Sequence, residues 1–215
     1  MKRLEKQNIL NQFNLNEIIN HFQNGIDSIE NQFNIADYLT SNNKIEEAQN
    51  IYRSQIVFLE SILDFYMHEL VKYGLFQIFT NKWDRTEKYL NIEIPINHLN
   101  KHFNNLTDNK WFFDFITEKW SREVIQSFEV IKYNLNLISI PWDDIYKNLK
   151  RNNFDLKEFL KDLYKRRNKI AHQNDRDHEN AIKQDISKDF VLEKITYLKT
   201  FVNEIHNYAI NKDNK

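Results

Sequence analysis

Only two glycines and two prolines interrupt 215 residues, and that shortage of punctuation narrows the fold before any other feature is considered. Hairpins and tight turns rely on residues that tolerate positive φ or fix it near −65°. A chain this poor in both is expected to run as long helices joined by polar loops. Apolar residues make up 41% of the chain and aromatic residues 14%, so a disordered polymer is excluded. The length suits one domain with a full core.

Helical spacing recurs along the chain. Leu15, Ile18, Ile19, Phe22, Ile26, Ile29 and Phe33 form one stripe, with Gly25 inside it weakening the helix by roughly 1 kcal/mol relative to alanine. Asn43 and Glu46 read as a capping box that opens the strongest helix, over residues 44–79. That helix is apolar on more than one side, with Phe58 and Phe65 away from the Leu59–Leu63–Tyr66–Leu70 stripe, as in a central or interface helix. Asp64 lies between the two apolar sides, where an acid needs a partner. A loop-rich stretch with a short helix over 96–103 follows. Thr107 then reads as the cap of a helix over 108–137, kinked near Ser121 or Ser127. Pro141 starts a short helix over 142–150, and Ser187 caps the last one. The expected architecture is a single all-α bundle, with residues 1–42 as an N-terminal helix packed on a helical domain spanning 43–215.

Composition also removes function classes. The net charge is −1, so contact with nucleic acid must come from a local patch. Absence of cysteine removes disulfides, thiolate metal sites and cysteine nucleophiles. The opening M-K-R-L-E-K-Q-N lacks a signal-peptide core and no run reaches membrane-spanning length, so a soluble cytoplasmic protein is expected. Gly-rich phosphate loops, a G-x-S-x-G elbow and H-E-x-x-H are absent from the sequence. His98 and His102 have i, i+4 spacing but no evident third ligand, so solvated loop histidines are expected and no metal site is assigned. His21, His178 and His206 read as surface or edge positions.

One stretch resists a purely structural reading. Residues 155–173, D-L-K-E-F-L-K-D-L-Y-K-R-R-N-K-I-A-H-Q, open with a cap at Asp155 and Glu158 and carry Leu156, Phe159, Leu160, Leu163, Tyr164, Ile170 and Ala171 at helical spacing. Arg167 falls on that apolar stripe, where an unpaired charge is costly. Asn168 and His172 are four apart on a neighbouring face. A cationic helix C-terminus accounts for Lys165 and Lys169, but not for Arg167, Asn168 and His172 together. Those residue types suit metal-free RNA cleavage: histidine moves protons, arginine matches phosphate oxygens, and asparagine orients the imidazole or binds a phosphate oxygen. Arg166, Lys165 and Lys169 would hold the RNA backbone. No cofactor is required. If Arg167 packs against a second copy, a two-fold axis brings two sets of these residues together.

At these residues the chain resembles the HEPN superfamily, whose signature is an arginine, a polar residue and a histidine after four to six intervening residues. R-N-K-I-A-H at 167–172 fits with four. Arg166 fits with five, so the motif arginine stays open between the two, with Asn168 directly after Arg167 favouring the latter. The segments L-D-F-Y-M-H-E-L, W-S-R-E-V-I-Q-S-F-E-V-I-K-Y-N-L and R-R-N-K-I-A-H-Q are similar to the RiboL-PSP-HEPN branch over residues 44–210. The resemblance implies a bundle that dimerises around the motif. It also implies a metal-independent endoribonuclease of anti-phage defence, abortive infection or toxin–antitoxin systems, with an antitoxin or other regulatory partner. An acid of the long helix is implied beside the motif arginine, for which Asp64 is the candidate. A non-catalytic module binding RNA, nucleotide or a protein is the alternative.

Overall fold

The computed structural model describes residues 13–102 and 108–214. It is all-α, with no strand among the described residues and one isolated bridge between Arg176 and Lys183. The helices are α1 (Leu15–Asn31), α2 (Phe33–Ser41), α3 (Ile45–Phe79), α4 (Glu87–Leu90), α5 (Ile96–His102), α6 (Lys110–Trp120), α7 (Phe128–Leu137), α8 (Trp142–Arg151), α9 (Leu156–Gln173) and α10 (Lys188–Asp213).

The 35-residue α3 is the axis of the bundle, against which α1, α2, α6, α9 and α10 all pack. Ile56, Leu59, Leu63, Tyr66, Met67 and Leu70 are fully buried along it. Each such side chain withdrawn from water contributes about 1.5–3 kcal/mol, so this helix dominates cohesion. Gly74 is required on packing grounds: a Cβ there would lie 2.8 Å from Ile138 and 2.9 Å from the Trp83 ring. Phe58 and Phe65 stay 47% and 43% exposed, on the side of α3 turned away from the core.

Several expected boundaries move, each for a local reason. The N-terminal stripe is broken at Gln32 into α1 and α2, which lets Phe33 and Ala36 face the core as well. An Asn14–Glu17 capping box opens α1. Asn43 does not begin α3. It adopts φ 60°, and the Lys44 N–H then donates to the Leu39 carbonyl at 2.9 Å, so Asn43 ends α2 as a left-handed cap. Lys44 precedes α3 without a side-chain cap. The helix expected over 108–137 is two helices, α6 and α7. Residues 121–127 between them are held by the Ile125 N–H donating to Asp64 Oδ1 at 2.9 Å, and Ser127 caps α7. The Thr107 cap lies outside the described residues. Ser187 caps α10 by accepting from the Phe190 N–H.

Candidate active site

Asp155 begins α9 by accepting from the Glu158 N–H at 3.0 Å. The buried side of α9 carries Leu156, Phe159, Leu160, Leu163 and Arg166 against α3, α8 and α10. Tyr164 is 42% exposed and Ala171 is exposed, so the apolar stripe is narrower than its spacing suggests. Arg167 sits at the edge of that stripe, half-buried, while His172 is exposed in the last turn.

The acid beside Arg167 is Glu60, not Asp64. Arg167 Nε lies 2.7 Å from Glu60 Oε2, and Glu60 is 2% exposed. Asp64, one turn further along α3, instead accepts the Ile125 N–H and lies 3.6 Å from His68 Nε2. Its carboxylate fixes the α6–α7 connection rather than the arginine. The Arg167–Glu60 pair is close but not aligned as a hydrogen bond, and neither Glu60 oxygen accepts one. Burial without hydrogen bonds to the ionised form pushes the Glu60 carboxyl up to about 7. Arg167 opposes the rise and the Asp64 charge adds to it. On its other edge, Arg167 Nη1 donates to Asn168 Oδ1 at 2.9 Å. Asn168 thus braces the guanidinium through its amide oxygen.

Arg166 is not the surface contact expected for it. It is 8% exposed, and its Nη2 donates to Asp175 Oδ2 at 2.7 Å and to the carbonyls of Gln184 and Asp185. Arg53 Nε donates to the same Asp175 oxygen at 2.8 Å, and its Nη2 to the Gln184 carbonyl at 2.9 Å. Asp175 is fully buried. Asn174 and Asp175 both take left-handed conformations, φ 51° and 59°, and the Asp175 N–H donates to the Lys169 carbonyl. This turn folds the chain back under α9 directly after His172, and the two arginines lock it there. Arg167 is not part of that clamp.

Lys165 is exposed and Lys169 half-buried on the side of α9 that also carries His172. His98, expected in solvent, is 7% exposed with Nε2 3.1 Å from the Trp111 carbonyl oxygen, and the His102 side chain lies outside the described residues. His206 is buried in the core, its Nδ1 3.3 Å from the Tyr66 hydroxyl, and burial lowers its pKa. Among the described residues no group of three or more histidines and acids is placed to hold a metal.

Glu60 escaped the sequence reading although it lies on the inner stripe of α3 with Arg53, Ile56, Leu63 and Met67. Its raised pKa has a consequence for stability. Between the ordinary value of 4.5 and about 7 the folded chain holds a proton the unfolded chain has lost. Stability should therefore fall as pH rises through that window, by on the order of 3 kcal/mol, and Glu60→Gln should flatten the slope. Urea midpoints at pH 5 and 7.5 for both proteins check this, and equal slopes would contradict it.

The family model described as RiboL-PSP-HEPN matches residues 14–211. No curated protein and no solved structure matches the chain.

Proposed function

The chain belongs to the RiboL-PSP-HEPN family, and from that premise we propose that it is a metal-independent endoribonuclease acting on single-stranded RNA. The observation that carries the reading is an Arg167 held from below by buried Glu60 and from the side by Asn168, with an exposed His172 five residues on in the same helix. A guanidinium braced at two edges retains donors for phosphate oxygens, and little reorganisation is needed when charge develops there.

In the proposed reaction a histidine removes the ribose 2′-OH proton. The 2′-oxygen bonds to the adjacent phosphorus, the P–O5′ bond breaks, and a protonated histidine supplies the proton taken up by the 5′-oxygen. Products are a 2′,3′-cyclic phosphate and a 5′-hydroxyl. Arg167 stabilises the non-bridging oxygens. Each chain supplies one His172, so base and acid are assigned to two copies in a homodimer. Tyr164, Asn168 and Ala171 are spaced on the α9 surface that a second copy would cover. We further infer a cytoplasmic setting in anti-phage defence or a toxin–antitoxin pair, where an antitoxin or similar partner restrains the activity. No helix of the described residues is long and apolar enough to cross a membrane.

The test is incubation of pure protein with single-stranded RNA in EDTA. Cleavage leaving cyclic phosphate ends is expected. Strict metal dependence would sink the mechanism, and saturable RNA binding without turnover would instead identify a non-catalytic binding module.

A further inference from the structure

Beside the motif, α9, α10 and the clamped loop form a half-open cavity of about 260 Å³ lined by Asp162, Lys165, Arg166, Lys169, Gln184 and Phe190. Three cations face one acid there. Lys161 is paired with Glu158 at 3.0 Å, but no acid among the described residues pairs with Lys165. Lys169 has only a long contact, 3.5 Å, to Gln184 Oε1. At the floor, every hydrogen bond from Arg166 leaves through Nη2, and its buried Nε has no acceptor. A further ammonium, that of Lys194, lies 5.0 Å from the centre of the Phe190 ring, in a residue only 6% exposed.

The buried part of this cluster is short of negative charge. Asp175 serves Arg53 and Arg166 with a single oxygen, its Oδ1 accepting nothing. Burial lowers the Arg166 pKa, Asp175 offsets only part of that, and Arg53 deepens it. An anion entering the cavity would meet uncompensated positive charge in a partly water-excluded place, where electrostatic attraction is stronger than at an open surface.

We propose that this cavity is a phosphate subsite, holding one phosphodiester of the RNA strand next to the bond being cut, with Lys165 and Lys169 as its contacts and Arg166 as its fixed positive floor. The size is compatible with that assignment, since the cavity has ample room for a phosphate group. The position fits too. At 1.5 Å rise and 100° per residue, Lys165, Lys169 and His172 fall on one side of α9 and Arg167 on the other, so the subsite lies to the His172 side of the bond being cut. The lysines stand about 10 Å and 4–5 Å from His172 along the axis, within one or two nucleotides' reach. The clamp thus does two jobs, closing the turn after the motif and building the floor of the neighbouring subsite.

The identity of the strand rests on the endoribonuclease reading, but the test separates the two. The full chain carrying His172→Ala, which under that reading turns over too slowly to consume the probe during a titration, is titrated with a fluorescent 12-nucleotide RNA across a range of salt. Adding Lys165→Ala and Lys169→Ala should weaken binding at least tenfold and reduce the slope of log K against log salt by about 0.7 for each phosphate no longer neutralised. A control pair on the exposed face of α8, Lys147→Ala and Lys150→Ala, should change the slope much less. Unchanged slope in the first pair, an equal loss in the control pair, or no RNA binding at all would overturn the subsite. If the slope shrinks as expected while the wild-type protein never cuts RNA, the subsite stands and the endoribonuclease reading falls.

Discussion

His172→Ala is expected to lower RNA cleavage by about 10²–10⁴-fold, the range for losing a positioned proton-transfer group. Arg167→Ala is expected to lose about 10²–10³-fold, comparable to removing one donor to a developing oxyanion. Both losses should appear in turnover at saturating RNA, since each group acts on charge or protons that move in the transition state. His172 is exposed, so its loss should change the melting temperature little, whereas Arg167→Ala removes the partner of buried Glu60 and should lower it where Glu60 is ionised. The dimeric site makes a sharper prediction. When wild-type and His172→Ala chains are co-refolded in equal amounts, random pairing leaves about a quarter of the dimers with two imidazoles. Activity should then fall to about a quarter of that of the same total amount of wild-type chain. Chains that act singly would retain half, and that result would remove the two-copy assignment of acid and base.

The features that could be read from sequence were those decided within one helix. Helix α9 was expected from its apolar spacing and from Asp155, and the cap forms as its local geometry demands. The same holds for Ser187 at the start of α10. What escaped were choices made by the partner element. Asp64 and Glu60 are one turn apart on α3, and only the angle at which α9 crosses decides which carboxylate meets Arg167. Asn43 carries a start signal and a stop signal at once, and the Lys44–Leu39 hydrogen bond that closes α2 decides for the stop. The split between α6 and α7 lacks a proline or glycine to announce it, because the interruption is held by a side chain 61 residues away in sequence. Spacing admits both Arg166 and Arg167 as the motif arginine, with only the adjacent Asn168 favouring Arg167. Burial of one and half-exposure of the other follow from the position of Asp175, which spacing alone does not give.

Asp175→Asn carries the largest expected effect on stability. The carboxylate is fully buried and compensates two guanidinium groups, Arg53 at 5% and Arg166 at 8% side-chain exposure. Asparagine preserves the shape and removes the charge, leaving two cations close together with no anion between them. Breaking a buried pair from one side costs about 3–5 kcal/mol, because the charge left behind has lost both its partner and its water. Urea unfolding should show a loss of that order. A loss below about 0.5 kcal/mol would mean that water reaches the cluster and that the clamp is not closed in solution. A companion variant separates charge from packing: Arg53→Met with Asp175→Asn removes one of the stranded cations and should recover part of the loss. The functional consequence follows from chain order. The Asp175 N–H bonds to the Lys169 carbonyl, and the clamp closes three residues after His172. Loosening it frees the turn that carries the imidazole and tilts the floor of the adjacent cavity. Cleavage in Asp175→Asn should therefore fall even where the chain remains folded, and RNA affinity should fall with it, whereas His172→Ala should lose cleavage alone. That difference assigns to the buried clamp the placement of both the reacting group and the strand it acts on.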